Sequence, residues 1–179
     1  RVVGDPAPID EGHRRFEVLG CTNCHTMNRD ARVSLGRKIK DRATQAPDLG
    51  DAGWRLKESW ITEVLTGKAK AHRPDLAHKG RMPAFPHELA LPVANFLTAN
   101  AGTPKDEAEL KQSDLSLLTS AGRDLAGTNQ MACVSCHYLG DRAPSTIGPF
   151  NLSTIPKRLR REWFSAFVVS PARLQPMTT

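Results

Sequence analysis

Hydrophobic positions along the chain follow helical spacing. In residues 88–99, apolar residues recur at intervals of three and four, which is typical of one buried helix face. These residues are Leu89, Val93, Phe96 and Leu97. Pro92 fits such a helix only near its start or at a kink. Alternation of apolar and polar residues over five or more positions is almost absent, which argues against strands. We therefore expect an all-α fold.

The predicted elements recur in the same order in both halves of the chain. In the first half, a helix that contains Gly (residues 10–19) precedes a Cys-x-x-Cys-His motif. A loop with Pro follows (46–49), and then an apolar helix that opens with Trp60. The matching elements of the second half are 120–126, 148–152 and a helix that opens with Trp163. This order predicts two similar units.

All four cysteines lie in two Cys-x-x-Cys pairs, and each pair is followed at once by His. The motifs are Cys21-Thr22-Asn23-Cys24-His25 and Cys133-Val134-Ser135-Cys136-His137. This pentapeptide is the attachment signature of c-type haem. Cysteines three apart share one face of a helical turn, so both thiols can reach the vinyl groups on one porphyrin edge. The next imidazole then faces the iron. The sequence predicts two haem c groups.

Three other uses of the cysteines compete with haem attachment. A four-cysteine zinc site usually has its pairs separated by roughly 12 to 20 residues, far fewer than separate these pairs, and it does not explain the histidines. A thioredoxin-like redox pair requires a βαβ context, for which the sequence has no pattern. Simple disulfides stay open on cysteine count alone.

With these motifs, the chain resembles a tandem of class I cytochrome c domains. The resemblance covers nearly all of the chain apart from Ala101 to about Gln112. It implies two consecutive all-α domains, each a few short helices wrapped round a covalently bound haem. The domains would be 1–102 and 113–179, with a linker at 103–112. The second domain would lack the end of its distal loop and its C-terminal helix.

The resemblance also implies the iron ligands of the first domain. Arg81-Met82-Pro83-Ala84-Phe85 is similar to the family's distal loop, so His25 and Met82 would be the axial pair. Pro47 would lie beside His25, and Pro149 would lie beside His137. Ligation by His and Met raises the reduction potential and fills both axial positions, which suits electron transfer more than substrate binding.

Other candidate distal ligands have weaker motifs. His72, His78 and His87 lack a neighbouring pattern comparable to Met82-Pro83, so we expect them to be solvated loop residues. Met27 follows His25 too closely to reach the opposite face of the porphyrin. Trp60 and Phe85 are expected to be aromatic walls of the haem crevice.

The second half departs from the family pattern after its histidine. No Met-Pro pair follows His137, and Met177 is the only downstream sulfur. Aligning residues 171–176 with the family frame puts the expected methionine beyond Thr179. A missing closing helix would leave apolar residues near the second motif exposed, and we expect that further polypeptide or another chain completes this domain. The residues concerned are Leu117, Leu118, Ala121 and Leu125.

Charge and hydropathy limit the kinds of partner that we expect the chain to bind. The formal net charge is +6, and the four propionates of two haems would reduce it by up to about 4. No Lys/Arg run is interleaved with aromatics, which argues against nucleic acid. The densest basic run, 157–161, is expected to be a solvated helix face, or else a docking site for an acidic redox partner. No apolar stretch is long enough for a membrane helix.

We expect electron transfer, by a carrier or by the cytochrome part of a larger respiratory or photosynthetic redox complex, and no enzymatic activity. The alternative is a dihaem peroxidase-like enzyme with one open haem, for which the absent Met-Pro pair of the second half is the supporting feature. Because haem attachment of this type occurs outside the cytoplasmic membrane in the proteins it resembles, we expect a periplasmic location or the outer face of that membrane.

Overall fold

The computed structural model of the chain describes residues 8–30, 33–35, 46–69, 82–100, 112–145 and 151–174. Within these ranges the chain is mostly helical, which agrees with the all-α expectation. The helices are α1 (Pro8–Val18), α2 (Ala52–Arg55), α3 (Glu58–Leu65), α4 (His87–Asn100), α5 (Gln112–Ala126), α6 (Cys133–Cys136), α7 (Ile155–Arg158), α8 (Arg161–Val169) and α9 (Pro171–Leu174). None of the described helices combines the length and the apolar character needed to cross a bilayer.

A short hairpin departs from the helical structure of the described residues. The strands β1 (Met27–Asp30) and β2 (Val33–Leu35) are antiparallel, with Met27 opposite Leu35 and an irregular register between them. The hairpin follows the first Cys motif directly. The sequence pattern argued against strands, and strands of three and four residues are too short to show alternation over five positions.

Contacts divide the chain into two compact units. The first comprises residues 1–69, 82–105 and 158–179, and the second comprises 70–81 and 106–157. Helices α8 and α9 therefore belong to the first unit. The domain boundaries expected from the sequence stay a prediction.

The core of the first unit forms where α1 crosses α4. Phe16 of α1 and Val93 of α4 are both fully buried in this core, and the ring of Phe16 lies 5.6 Å from the ring of Phe96. A Cβ built on Gly12 would lie 2.2 Å from the carbonyl oxygen of Pro92 and 2.6 Å from the Cβ of Phe96. Because real Cβ atoms do not approach other atoms this closely, the crossing requires glycine at this position. Pro92 lies in the second turn of α4.

Helix α2 approaches the same helix from another side. A Cβ on Gly53 would lie 2.2 Å from the carbonyl oxygen of Leu97 and 2.5 Å from the Cα of Thr98. Gly53 and its neighbour Ala52 are both buried. Small residues therefore let α2 contact α4 backbone to backbone, which fixes the loop that precedes α2.

In the second unit, α5 exposes the apolar residues named in the sequence analysis. The exposed fractions are 73% for Leu117, 49% for Leu118 and 52% for Leu125. A Cβ on Gly122 would meet no described atom within 4 Å. The expected exposure of this helix face is therefore present in the described part of the chain.

Candidate functional site

The first Cys-x-x-Cys-His motif forms one tight turn after α1. Gly20, which precedes Cys21, has φ 71° and ψ 27°, a left-handed conformation that glycine adopts without steric cost. The N–H of His25 donates to the carbonyl of Cys21 at 2.9 Å, and the N–H of Asn23 donates to the carbonyl of Gly20 at 3.0 Å. The turn therefore carries Cys21, Cys24 and His25 on one loop of backbone.

The second motif forms a turn with the same hydrogen bonds. The N–H of His137 donates to the carbonyl of Cys133 at 2.9 Å, and the N–H of Ser135 donates to the carbonyl of Ala132 at 2.9 Å. Ala132 has φ 54°, and it is the one non-glycine residue with positive φ among the described residues. A left-handed conformation costs alanine about 1 to 2 kcal/mol. The backbone therefore enters the second motif in the same left-handed conformation as it enters the first, although this conformation is strained for Ala132.

The thiols of the two turns are arranged alike. All four cysteines are free, Cys24 and Cys136 being exposed and Cys21 and Cys133 half-buried. Burial raises the pKa of the Cys21 thiol above its usual value. In the described ranges, no three side chains of the His, Cys, Asp or Glu type lie together as they would around a zinc ion.

The imidazole of His25 is held from behind by the Pro47 loop. Its Nδ1 atom lies 2.8 Å from the carbonyl oxygen of Pro47. A carbonyl can only accept a hydrogen bond, so Nδ1 must carry the proton, and the lone pair of the neutral ring lies on Nε2. Histidines that bind a metal usually donate their other N–H to such an acceptor. The structure thus brings His25 and Pro47 together and leaves the lone pair of the ring on Nε2.

The loop after each motif returns to the residue that follows the motif histidine. In the first unit, the N–H of Leu49 donates to the carbonyl of Thr26 at 2.8 Å; in the second, the N–H of Leu152 donates to the carbonyl of Tyr138 at 2.8 Å. The two carbonyls occupy the same position relative to the motif histidine. Pro149 lies outside the described residues, so its position beside the second histidine stays a prediction.

Met82 lies in the loop that leads into α4. Its side chain is 36% exposed. Three residues later, the N–H of Phe85 donates to the carbonyl of Leu65 at the end of α3, and Phe85 packs against the apolar core. Phe85 therefore fixes the loop on the side that leads into α4. Ligation of the iron by Met82 stays a prediction.

The other candidate ligands have different placements. Met27 is buried in the apolar core of the first unit. His87 is an exposed residue at the start of α4. Met177, His72 and His78 lie outside the described residues.

Two segments that the sequence analysis did not connect pair with each other inside the first unit. Residues 55–57 and 158–160 run antiparallel through a bridge between Leu56 and Leu159. The backbone hydrogen bonds that flank the bridge are 2.9 Å from Lys57 to Arg158 and 3.0 Å from Arg160 to Arg55. Each segment precedes the Trp-bearing helix of its own half. Equivalent positions of the two halves therefore contact each other.

The basic run at 157–161 makes internal contacts through two of its arginines. The Nε atom of Arg160 donates to the carbonyls of Gly53 and Leu56, at 2.8 and 3.2 Å. The guanidinium of Arg158 lies 5.6 Å from the ring centre of Trp60. Both arginines are half-buried, so these two positions differ from the solvated helix face expected for the run, and docking of an acidic partner stays a prediction.

A cluster of aromatic and basic residues surrounds Trp163. This residue is 4% exposed, stacks on Phe167 at 4.9 Å and meets Trp54 edge-on at 6.5 Å. Among the described residues, its Nε1 atom and the Nε atom of Arg55 are buried donors with no hydrogen-bond partner. Sequence analysis missed this cluster. The sequence does carry one sign of this cluster: in both halves, an Arg lies five residues before the Trp that begins the apolar helix.

A scan with protein-family models, a search of curated proteins and a search of solved structures each found no match for this chain. The assignment of a function therefore depends on the residues and the geometry of the chain itself.

Proposed function

We propose that this chain belongs to a c-type cytochrome with two covalently attached haems and that it transfers electrons. It would act as a carrier or as the cytochrome part of a larger redox complex. The observation that carries the proposal is the hydrogen bond between His25 Nδ1 and the Pro47 carbonyl, at 2.8 Å, directly behind a Cys-x-x-Cys-His turn. With Nδ1 engaged in that bond, Nε2 is the atom that would bind the iron.

The residues present fit a haem group in three further respects. The thiols are free in both turns, and one thiol of each pair is exposed. The exposed apolar residues of α5 are available to contact an apolar macrocycle. In the first unit, the unpaired donors of Arg55 and Trp163 suit an anionic carboxylate acceptor, which a haem propionate supplies.

Each cysteine would contribute one covalent bond. The thiol S–H adds across a vinyl C=C, which forms one C–S bond and one C–H bond, and no group leaves. Cys21 and Cys24 would hold the first haem, and Cys133 and Cys136 the second. When bound, the group supplies one-electron redox chemistry. The turns place both thiols and the imidazole of each motif on one loop of backbone, as attachment to a single porphyrin would require.

The axial ligands proposed for the first iron are His25 and Met82, and the ligand proposed for the second is His137 on its proximal side. Met177 is retained as a distal candidate for the second site. A thioether sulfur suits reduced iron, and this raises the potential of the site that carries it. We place the protein in the periplasm or at the outer face of the cytoplasmic membrane, with redox proteins as its partners.

The test is a spectroelectrochemical titration of the chain, produced in the periplasm of a host that attaches haem c. We expect two one-electron centres, with the visible absorption bands of reduced c-type haem. The absence of any reversible absorbance change in chain that is folded and has been exposed to haem would overturn the proposal. Peroxide turnover by a high-spin centre would favour the peroxidase-like alternative.

A further inference from the structure

We propose that Asp48 and Asn151 are equivalent positioning residues behind the two proximal histidines, and that the charge of Asp48 lowers the reduction potential of the first site. Asn151, which is neutral, leaves the second site without this contribution. The inference rests on the proposed function. It assigns to Asp48 and Asn151 the difference in reduction potential between the two sites. It starts from hydrogen bonds that recur in the two units.

In the first unit, Asp48 closes the loop around the bond between His25 and Pro47. It directly follows Pro47, and its Oδ1 atom accepts the N–H of Gly50 at 2.8 Å, which is the geometry of an Asx turn. Its Oδ2 atom accepts the hydroxyl of Thr26, which directly follows His25 and is buried. The Asp48 carboxylate therefore links Thr26, the neighbour of His25, to the loop that contains Pro47.

In the second unit, Asn151 occupies the corresponding position. Its Oδ1 atom accepts the N–H of Ser153 at 3.0 Å, two residues on, as Asp48 accepts that of Gly50. It also binds the segment that leaves the motif, because Nδ2 donates to the carbonyl of Gly140 at 2.8 Å and Oδ1 accepts the N–H of Gly140 at 3.1 Å. Each residue precedes the leucine whose N–H bonds the carbonyl after the motif histidine. Both side chains therefore hold the loop after the motif against the segment that leaves the motif.

The chemical difference between the two side chains is one negative charge. Outer-shell groups that orient a metal-bound histidine also alter its basicity and the electronics of the metal. A carboxylate bound to the residue next to the motif histidine stabilises the more positive, oxidised state of the centre, because opposite charges attract more strongly in a partly buried site than in water. An amide makes the same type of hydrogen bond without that attraction. Asp48 therefore favours the oxidised form of the first centre.

The test is a reciprocal exchange in the full chain, Asp48→Asn and Asn151→Asp, followed by spectroelectrochemical titration. At a fixed electrode potential near the midpoint, D48N should raise the ratio of reduced to oxidised first centre several-fold, because it removes the negative charge that favours the oxidised form. N151D should lower that ratio at the second centre. Asp10→Asn, an exposed residue in the first turn of α1, makes the same charge change outside both motif loops and should shift neither.

A second pair of variants separates charge from position. Thr26→Val removes the hydroxyl that binds Asp48 and keeps the carboxylate, whereas Thr26→Ser keeps both. We expect T26V to alter the paramagnetically shifted proton resonances of the His25 ring, and T26S to restore them. A structural role without influence on the imidazole would change the melting temperature and leave these resonances in place.

Unchanged potentials in D48N and N151D, with both haems bound, would overturn this inference and leave the proposed function intact. A wild-type chain that takes up no haem would instead overturn the proposed function. If D48N folds without its first haem, the shift of the second centre in N151D decides the inference.

Discussion

The Nδ1 atom of His25 and the carbonyl oxygen of Pro47 lie 2.8 Å apart, although 22 positions separate the two residues along the chain. The hydrogen bond sets the tautomer of the imidazole, and the loop that supplies the acceptor is itself fixed by the N–H of Leu49 on the carbonyl of Thr26. A histidine that was merely solvated would need neither contact. The arrangement leaves the lone pair of the ring on Nε2, the atom through which His25 would bind the proposed iron.

Removing one motif's thiols should remove one haem at a time. Cys21→Ser with Cys24→Ser should leave a chain that carries only the second haem, and Cys133→Ser with Cys136→Ser a chain that carries only the first. A serine hydroxyl does not form the thioether bond. Haem content per polypeptide, measured from the absorbance of denatured, reduced protein, should fall by half in each variant. Equal haem content in wild type and either variant would show that these cysteines do not attach it.

Replacing glycine by alanine should change the free energy of unfolding in opposite directions at Gly12 and at Gly122. Gly12→Ala places a Cβ against the backbone of α4, so we expect a loss of about 1 to 3 kcal/mol in the free energy of unfolding. Gly122→Ala, its matched control, meets no described atom within 4 Å and should stabilise α5 by about 0.5 to 1 kcal/mol. Urea denaturation of both variants measures these differences. A G12A variant as stable as wild type would contradict the close packing of α1 on α4.

Glu11 should make the first unit sensitive to acid. Hydrogen bonds from Arg14 and then Arg15 lower the pKa of Glu11 from 4.5 to about 2. Because the folded pKa is depressed, this contribution to stability is present above pH 4.5 and is lost as the pH falls to about 2. Glu11→Gln should therefore show a smaller drop in melting temperature than wild type between these pH values.

The matched control for Glu11 is Glu162→Gln, which changes an exposed glutamate in the first turn of α8. Both residues experience the N-terminal end of a helix, so the comparison isolates the contribution of the two arginines. Identical acid profiles for E11Q and E162Q would contradict the role given to Arg14 and Arg15.

Arg160 should help to hold α8 in place within the first unit. Its one Nε–H is shared between the carbonyls of Gly53 and Leu56, and a hydrogen bond from a charged donor contributes about 1.5 to 3 kcal/mol. We expect Arg160→Ala to lower the free energy of unfolding by an amount in this range and to speed hydrogen exchange at the N–H of Lys57. Arg173→Ala, an exposed arginine of α9, is the control and should do neither. Equal stability of R160A and R173A would show that the contact is dispensable.

Helical periodicity was sufficient to predict the main features of the fold. The apolar spacing at 88–99 predicted a helix, and α4 spans His87–Asn100. The exposure of Leu117, Leu118 and Leu125 on α5 was expected from the resemblance, because the family covers this face with a closing helix. The helix at 88–99 depends on neighbours three and four positions away, which the local sequence shows, whereas the exposure of a helix face depends on what packs against it.

Tertiary pairing was not predictable in the same way. The bridge between Leu56 and Leu159 depends on backbone groups that are far apart along the chain, and no side-chain pattern encodes its register. The positions of Cys21, Cys24 and His25 on one turn followed from their spacing, and the closeness of His25 to Pro47 followed from the resemblance. The clamps at Asp48 and Asn151 required the structure, because Asx residues form such hydrogen bonds in many kinds of loop.

The mass of the denatured polypeptide tests the central claim most directly. After unfolding and extraction with acidified acetone, which removes haem that is not covalently bound, the chain should retain its red colour and weigh two haem groups more than its amino acids. A colourless chain with the mass of its amino acids alone would contradict the account.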